Sequence, residues 1–144
     1  MYAVMYMKDY HNHHKECKDR RAFFFAMLFV FLGAMFGLVL SSNLIWIYFF
    51  WEITSICSFL LIGYSKTKEA IHNCFRALWM NLLGGLAFAV GIAYTVIVLE
   101  SVQLQDLVSL MITSGIGLIP ITLLAFAALT KSAQLPFSQW LLGA

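Results

Sequence analysis

Residues 43–63 read NLIWIYFFWEITSICSFLLIG, an apolar stretch interrupted by one carboxylate, Glu52, near its centre. At about 1.5 Å of rise per helical residue, a run of this length matches a bilayer core of roughly 30 Å and predicts a membrane-spanning helix. Glu52 then falls at mid-membrane, where a charge costs at least about 2.5–3.5 kcal/mol. It must face protein or water, be neutralised, or have a partner of opposite charge.

The rest of the chain has the same character. Of its 144 residues 62% are hydrophobic and 11% charged, and the mean hydropathy is +0.84. A soluble domain of this size would have too little polar surface to cover its core, whereas an all-α polytopic membrane protein is expected to look like this. A net charge of +2 is too small to point to nucleic acid. Three cysteines (Cys17, Cys57, Cys74) without C-x-x-C spacing indicate neither a disulfide framework nor a zinc site. Residues 1–7 are short, lead into charged sequence and lack a small-residue cleavage site, so a cleavable signal is not expected.

Four spans are predicted, at 22–40, 43–63, 76–99 and 120–144. Ser41, Ser42 and Asn43 form a minimal turn, so the first two run antiparallel. In the loop at 64–73, Thr67 is the N-cap candidate and Glu69 lies in the first turn that follows, where the helix dipole favours it. The third span carries the small-residue pairs Gly85/Ala89 and Ala87/Gly91, suited to close helix approach. Between them, residues 101–114 place Leu104, Leu107, Val108 and Met111 on one side and predict an interfacial amphipathic helix. In the last span Pro136 lacks the N–H that would bond the Ser132 carbonyl, so the helix should kink or break near Lys131. Lys and Arg cluster in residues 8–21 and 64–76 and are absent from 41–43 and 100–116. The bias places the N-terminus in the cytoplasm of a multi-pass inner-membrane protein.

Glu52 and Lys131 are the ionisable side chains deep in these spans, apart from tyrosines and Cys57. Opposite charges on two helices at similar depth can offset part of each other's desolvation. One reading is a proton relay: burial disfavours the protonated form of a lysine and a nearby carboxylate restores it, so opening and closing the pair moves a proton. The other is a static salt bridge that sets helix register. Tyr48 and Ser55, at i−4 and i+3 from Glu52, together with Thr130, Ser132, Gln134 and Pro136, are the supporting candidates. Each polar one is singly also explained by ordinary helix–helix hydrogen bonding. His11, His13 and His14 lack the partners of a metal site and are read as a solvated loop. His72 reads as an interfacial side chain, and Trp46, Trp51, Trp79 and Trp140 as packing or interface residues. No phosphate loop, iron–sulfur cysteine cluster or paired-histidine haem site occurs, so no cofactor is expected in this chain.

At 49–64 (FFWEITSICSFLLIGY) and 124–144 (LAFAALTKSAQLPFSQWLLGA) the sequence resembles the large antiporter-like membrane subunits shared by respiratory complex I, Mrp-type Na⁺/H⁺ antiporters and energy-converting hydrogenases. The resemblance implies that Glu52 and Lys131 form the proton-handling pair, that the lysine helix is broken, and that these residues are a fragment of a protein with about fourteen helices. Complex I subunits usually carry Asp where this chain has Gly85. FRALWMNLLGGLAFA (75–89) and SQWLLGA most resemble the Ech-type [NiFe] hydrogenase subunit, and Mrp-type subunits share the double glycine. The expectation is a proton- or Na⁺-translocating subunit of an energy-converting hydrogenase, with [NiFe] and iron–sulfur centres in partner subunits. The alternatives are a Mrp antiporter or NADH–quinone oxidoreductase subunit, a non-translocating membrane anchor, and an unrelated four-span protein.

Overall fold

The computed structural model describes residues 4–5, 21–114 and 118–142. The histidine run at 11–14 and most of the basic N-terminal segment lie outside them. The main elements are α1 (Arg21–Leu40), α2 (Leu44–Ile62), a 3₁₀ turn (Gly63–Ser65), α3 (Lys68–Leu99), α4 (Leu104–Ser114), α5 (Leu118–Lys131) and α6 (Gln139–Leu142). Among the described residues three helices are long and apolar enough to cross a membrane: Arg21–Leu40, Leu44–Ser65 with its 3₁₀ extension, and Lys68–Val98. Among the described residues there is no strand beyond a single bridge between Asn43 and Gln103.

The α1–α2 turn is tighter than a span boundary at 43 suggests, because Asn43 is a cap. Its side-chain oxygen accepts from the Ile45 and Trp46 amides at 2.9 and 3.4 Å, and Ser41 Oγ donates back to the Gly37 carbonyl at 2.7 Å. The same turn is tied to the chain entering α4: the Leu44 amide donates to Val102 O at 2.8 Å and the Leu104 amide to Ser42 O at 3.0 Å. Residues 41–44 and 102–104 therefore share one end of the bundle. At the other end the start of α1 meets the 3₁₀ turn, with the Phe24 and Tyr64 rings 5.7 Å apart. The basic loop and the lysine-free connections thus lie at opposite ends.

The third helix starts earlier than position 76. Thr67 Oγ1 accepts from the Ala70 amide at 3.1 Å and α3 runs for 32 residues from Lys68, with Glu69 in its first turn. At about 1.5 Å per residue it is roughly 48 Å long, so its polar first turns project beyond a bilayer core. Loss of this cap by Thr67→Ala should destabilise the first turn by about 1 kcal/mol and speed amide exchange there roughly fivefold. Hydrogen exchange resolved over residues 68–72 checks it.

The order of packing is α1–α2–α3–α5, each helix against the next. Leu44, Trp51, Phe88, Leu107 and Ala127 form the buried core, with Leu38, Tyr48 and Ile92 among the side chains packed around it. Of the apolar side predicted for 101–114, Leu107 enters this core while Leu104 and Val108 remain exposed, and the Met111 side chain lies outside what the structure describes.

The close approaches of α3 differ from the small-residue pairs expected. Gly84 lies against Thr130 and Ala127 of α5, and Gly91 against Pro120 and Leu123, so two glycines two turns apart seat α5 antiparallel on α3. Gly85 faces α2 instead, where a Cβ would lie 2.5 Å from Glu52 Oε1.

The last predicted span is also divided differently. α5 has 14 residues, roughly 21 Å at about 1.5 Å per residue, which is too short to cross alone. It ends at Lys131, five positions before Pro136, because Ala133 is left-handed (φ 52°) and closes a Schellman cap: the Gln134 amide donates to Leu129 O at 3.2 Å and the Ala133 amide to Thr130 O at 3.3 Å. The break is thus a helix cap directly after the lysine rather than a proline kink. The chain turns through 132–138, with a cis Leu135–Pro136 bond, before α6 begins.

Candidate functional site

On α2, Tyr48, Trp51, Glu52 and Ser55 share one face because they recur at helical spacing. Trp51 and Ser55 are buried and Glu52 is half-buried. Opposite them, Lys131 is the final residue of α5, where the unpaired carbonyls of a helix end favour a cation. Its stem carries the ammonium across to α2. There Nζ donates to Ser55 Oγ at 2.6 Å and to the Trp51 carbonyl at 3.3 Å, and it lies 5.3 Å from the centroid of the Trp51 ring. A cation over an indole face is attracted by the ring quadrupole, most strongly where water is excluded.

The Trp51 carbonyl is heavily used. Thr54 Oγ1 and Ser55 Oγ also donate to it, at 2.7 and 3.2 Å. Ser55 spends its proton on that carbonyl and so offers Lys131 a lone pair. Glu52 is held between its neighbours: the Tyr48 phenol lies against its carboxylate, and the missing Cβ of Gly85 leaves room for Oε1. An acidic side chain at position 85 would set a second carboxylate against this one, a like-charge contact that this chain avoids.

The structure therefore brings Glu52, Lys131, Tyr48 and Ser55 to one place, but not as a closed ion pair. No nitrogen–oxygen contact of 4.0 Å or less joins Lys131 to Glu52; the ammonium sits on Ser55 and Trp51, one turn along α2 from the carboxylate. Of the other supporting candidates, Thr130 is buried beside the site with its hydroxyl bonded to Ala127 O, and its carbonyl accepts from Trp140 Nε1 at 3.0 Å. Ser132 bonds back to Ala128 O, and Ser132, Gln134 and Pro136 are exposed, away from the cluster. Sequence reasoning missed Trp51, whose ring and carbonyl both hold the lysine, and the buried Asn81. The signal for Trp51 was its position in WExxS, directly before Glu52 and four residues before Ser55.

The family described as NADH:quinone oxidoreductase/Mrp antiporter, TM, matches residues 41–144, well over half of the chain. This chain belongs to that family. A relative described as Na(+)/H(+) antiporter subunit A1 of Staphylococcus saprophyticus subsp. saprophyticus is 39% identical over 145 residues, covering 98% of this chain and 17% of the relative. Subunits of the same description from Staphylococcus haemolyticus and Staphylococcus aureus are 39% and 36% identical, over 82% and 96% of the chain. The chain spans about a sixth of the length of the curated relatives it matches.

With its apolar helices, membership makes this a multi-pass membrane protein. These relatives are described as antiporter subunits, so the hydrogenase branch expected from residues 75–89 is not supported, nor are hydrogenase, [NiFe] and iron–sulfur partners. The reason is visible in the motif. By the resemblance read from the sequence, both branches share the double glycine at 84–85, so this motif does not separate the two from each other.

Proposed function

We propose that this chain is the part of a Na⁺/H⁺ antiporter subunit that handles protons inside the membrane, with Lys131 as the group that takes and releases the proton and Glu52 as its electrostatic partner. The observation that carries the reading is the placement of the Lys131 ammonium on Ser55 Oγ and Trp51 O, one turn from a carboxylate on the same helix. A lysine has three N–H donors on a flexible four-carbon stem, so it can leave such a seat and return. Seated on neutral oxygens, it is held as a cation without being neutralised by direct contact with Glu52. Moving toward Glu52 stabilises the ammonium; moving away disfavours it and releases the proton.

The Na⁺ side of the exchange and the rest of the path across the membrane belong to partner residues and subunits of a larger assembly. The basic end of the bundle, with Arg21, Lys66 and Lys68, faces the cytoplasm in this reading. Glu52→Gln tests it. In proteoliposomes of the full-length assembly, sodium-driven proton exchange should fall at least about tenfold while assembly is retained. Exchange at the normal rate in a fully assembled Gln variant would refute the role of the carboxylate.

A further inference from the structure

Asn81 is 5% exposed, and among the described residues its Oδ1 and the Trp51 indole nitrogen are the buried side-chain polar atoms without a protein hydrogen-bond partner. Its Nδ2 donates to the Ala77 carbonyl at 2.9 Å. That bond settles which way the amide points, because only the N–H₂ end can face a carbonyl. The atom left over is therefore an acceptor that awaits a donor, and leaving it bare inside a membrane helix bundle is costly.

Register puts this acceptor level with the lysine. On α3, Gly84 faces Thr130 and Ala127, and Gly91 faces Leu123 and Pro120. One turn before Gly84 on the antiparallel helix, Asn81 falls level with Lys131 and the cap that ends α5. The α2 pairing agrees: Gly85 faces Glu52 and Gly63 faces Cys74, so Asn81 also falls level with the turn of α2 that includes Ser55 and Cys57. Lys131 has three N–H donors, and Ser55 and Trp51 take two of them.

We infer that Asn81 Oδ1 binds a water that accepts the third N–H of Lys131, making Asn81 the positioning residue for the proton's way onto and off the lysine. This rests on the relay reading of Lys131. A buried water needs two to four polar partners, and this placement supplies the lysine as donor and Asn81 as acceptor, with the unpartnered Trp51 indole N–H on the helix that seats the lysine. The titratable groups acting on Lys131 are Glu52 and Cys57, both on α2. Residues 77–98 of α3 contain no ionisable side chain except Tyr94, and residues 118–142 none besides Lys131. The Asn81 carbonyl is thus the neutral lever on the lysine from the α3 side.

The test joins a density map of the native assembly, fine enough to show ordered water, with sodium-driven proton exchange followed against pH. The map should show a water within about 3.2 Å of both Asn81 Oδ1 and Lys131 Nζ. Asn81→Leu should move the alkaline limb of the exchange profile to lower pH by about one unit, the size of one charge-assisted hydrogen bond. Asn81→Thr, which keeps an oxygen, should stay near the wild type and serves where the leucine variant does not assemble. A dry Asn81 oxygen overturns the inference, as does a leucine profile that superimposes on the wild type or a threonine variant that shifts fully. If Lys131→Ala leaves exchange intact, the relay reading falls on that result, while the map still decides the water contact by itself.

Discussion

Lys131→Ala in the full-length assembly should abolish sodium-coupled proton exchange, with a fall of well over about tenfold, while the complex still assembles. The fold tolerates the change because the lysine's partners do not depend on it. Ser55 Oγ still donates to Trp51 O, as does Thr54 Oγ1, and the Trp51 ring keeps its edge contact with Phe88 at a centroid distance of 5.2 Å. What disappears is the cation seated one turn along α2 from Glu52. Exchange per assembled complex in proteoliposomes, with complex content read from the same preparation, separates the two effects. A variant that loses assembly and exchange in proportion would make Lys131 a structural residue.

Gly84→Val should have the opposite signature, with loss of the assembly itself. A Cβ at position 84 collides with Thr130 Oγ1 and would lie 3.1 Å from Thr130 Cβ and 3.4 Å from the Ala127 carbonyl. Thr130 is fully buried and its hydroxyl is held by Ala127 O at 2.7 Å, so it cannot swing away cheaply. Overpacking of this kind costs about 1–3 kcal/mol where a side chain can yield and more where backbone is struck. Thermal unfolding of the solubilised assembly should show the loss, and the milder Gly84→Ala should be largely rescued by Thr130→Ala, which removes the colliding oxygen. Gly85→Ala makes a useful contrast. Its nearest neighbour is the movable tip of Glu52, so stability should hold while exchange changes.

Much of this is legible in the sequence. Apolar length and turn chemistry place the helices, since a span needs about 20 apolar residues, Ser41–Asn43 make a turn and Thr67 is a good cap. The charged pair stands out because an acid and a base inside apolar sequence have few explanations. Three features were not legible, each for a physical reason. The end of α5 is set by a left-handed Ala133, a conformation that favours glycine and has no signature in an alanine, so Pro136 took the credit. Which glycine faces which helix depends on rotation about the α3 axis, and adjacent glycines at 84 and 85 point to different neighbours although the sequence treats them as one motif. The seat of the lysine on a backbone carbonyl and an indole face is a tertiary contact between residues 80 positions apart, with no local pattern to announce it.

The choice between a hydrogenase and an antiporter subunit was of another kind. The antiporter reading rests on relatives over most of the chain that are described as antiporter subunits, not on the site.

The relay requires Lys131 to give up its proton, and Lys131→Arg examines that directly. A guanidinium keeps the positive charge and the hydrogen-bonding capacity but does not deprotonate in a protein. If the lysine is a relay, the arginine variant should assemble normally and exchange sodium for protons at no more than about a tenth of the wild-type rate. An arginine variant that exchanges at the wild-type rate would mean that a fixed cation suffices, and the relay would be contradicted.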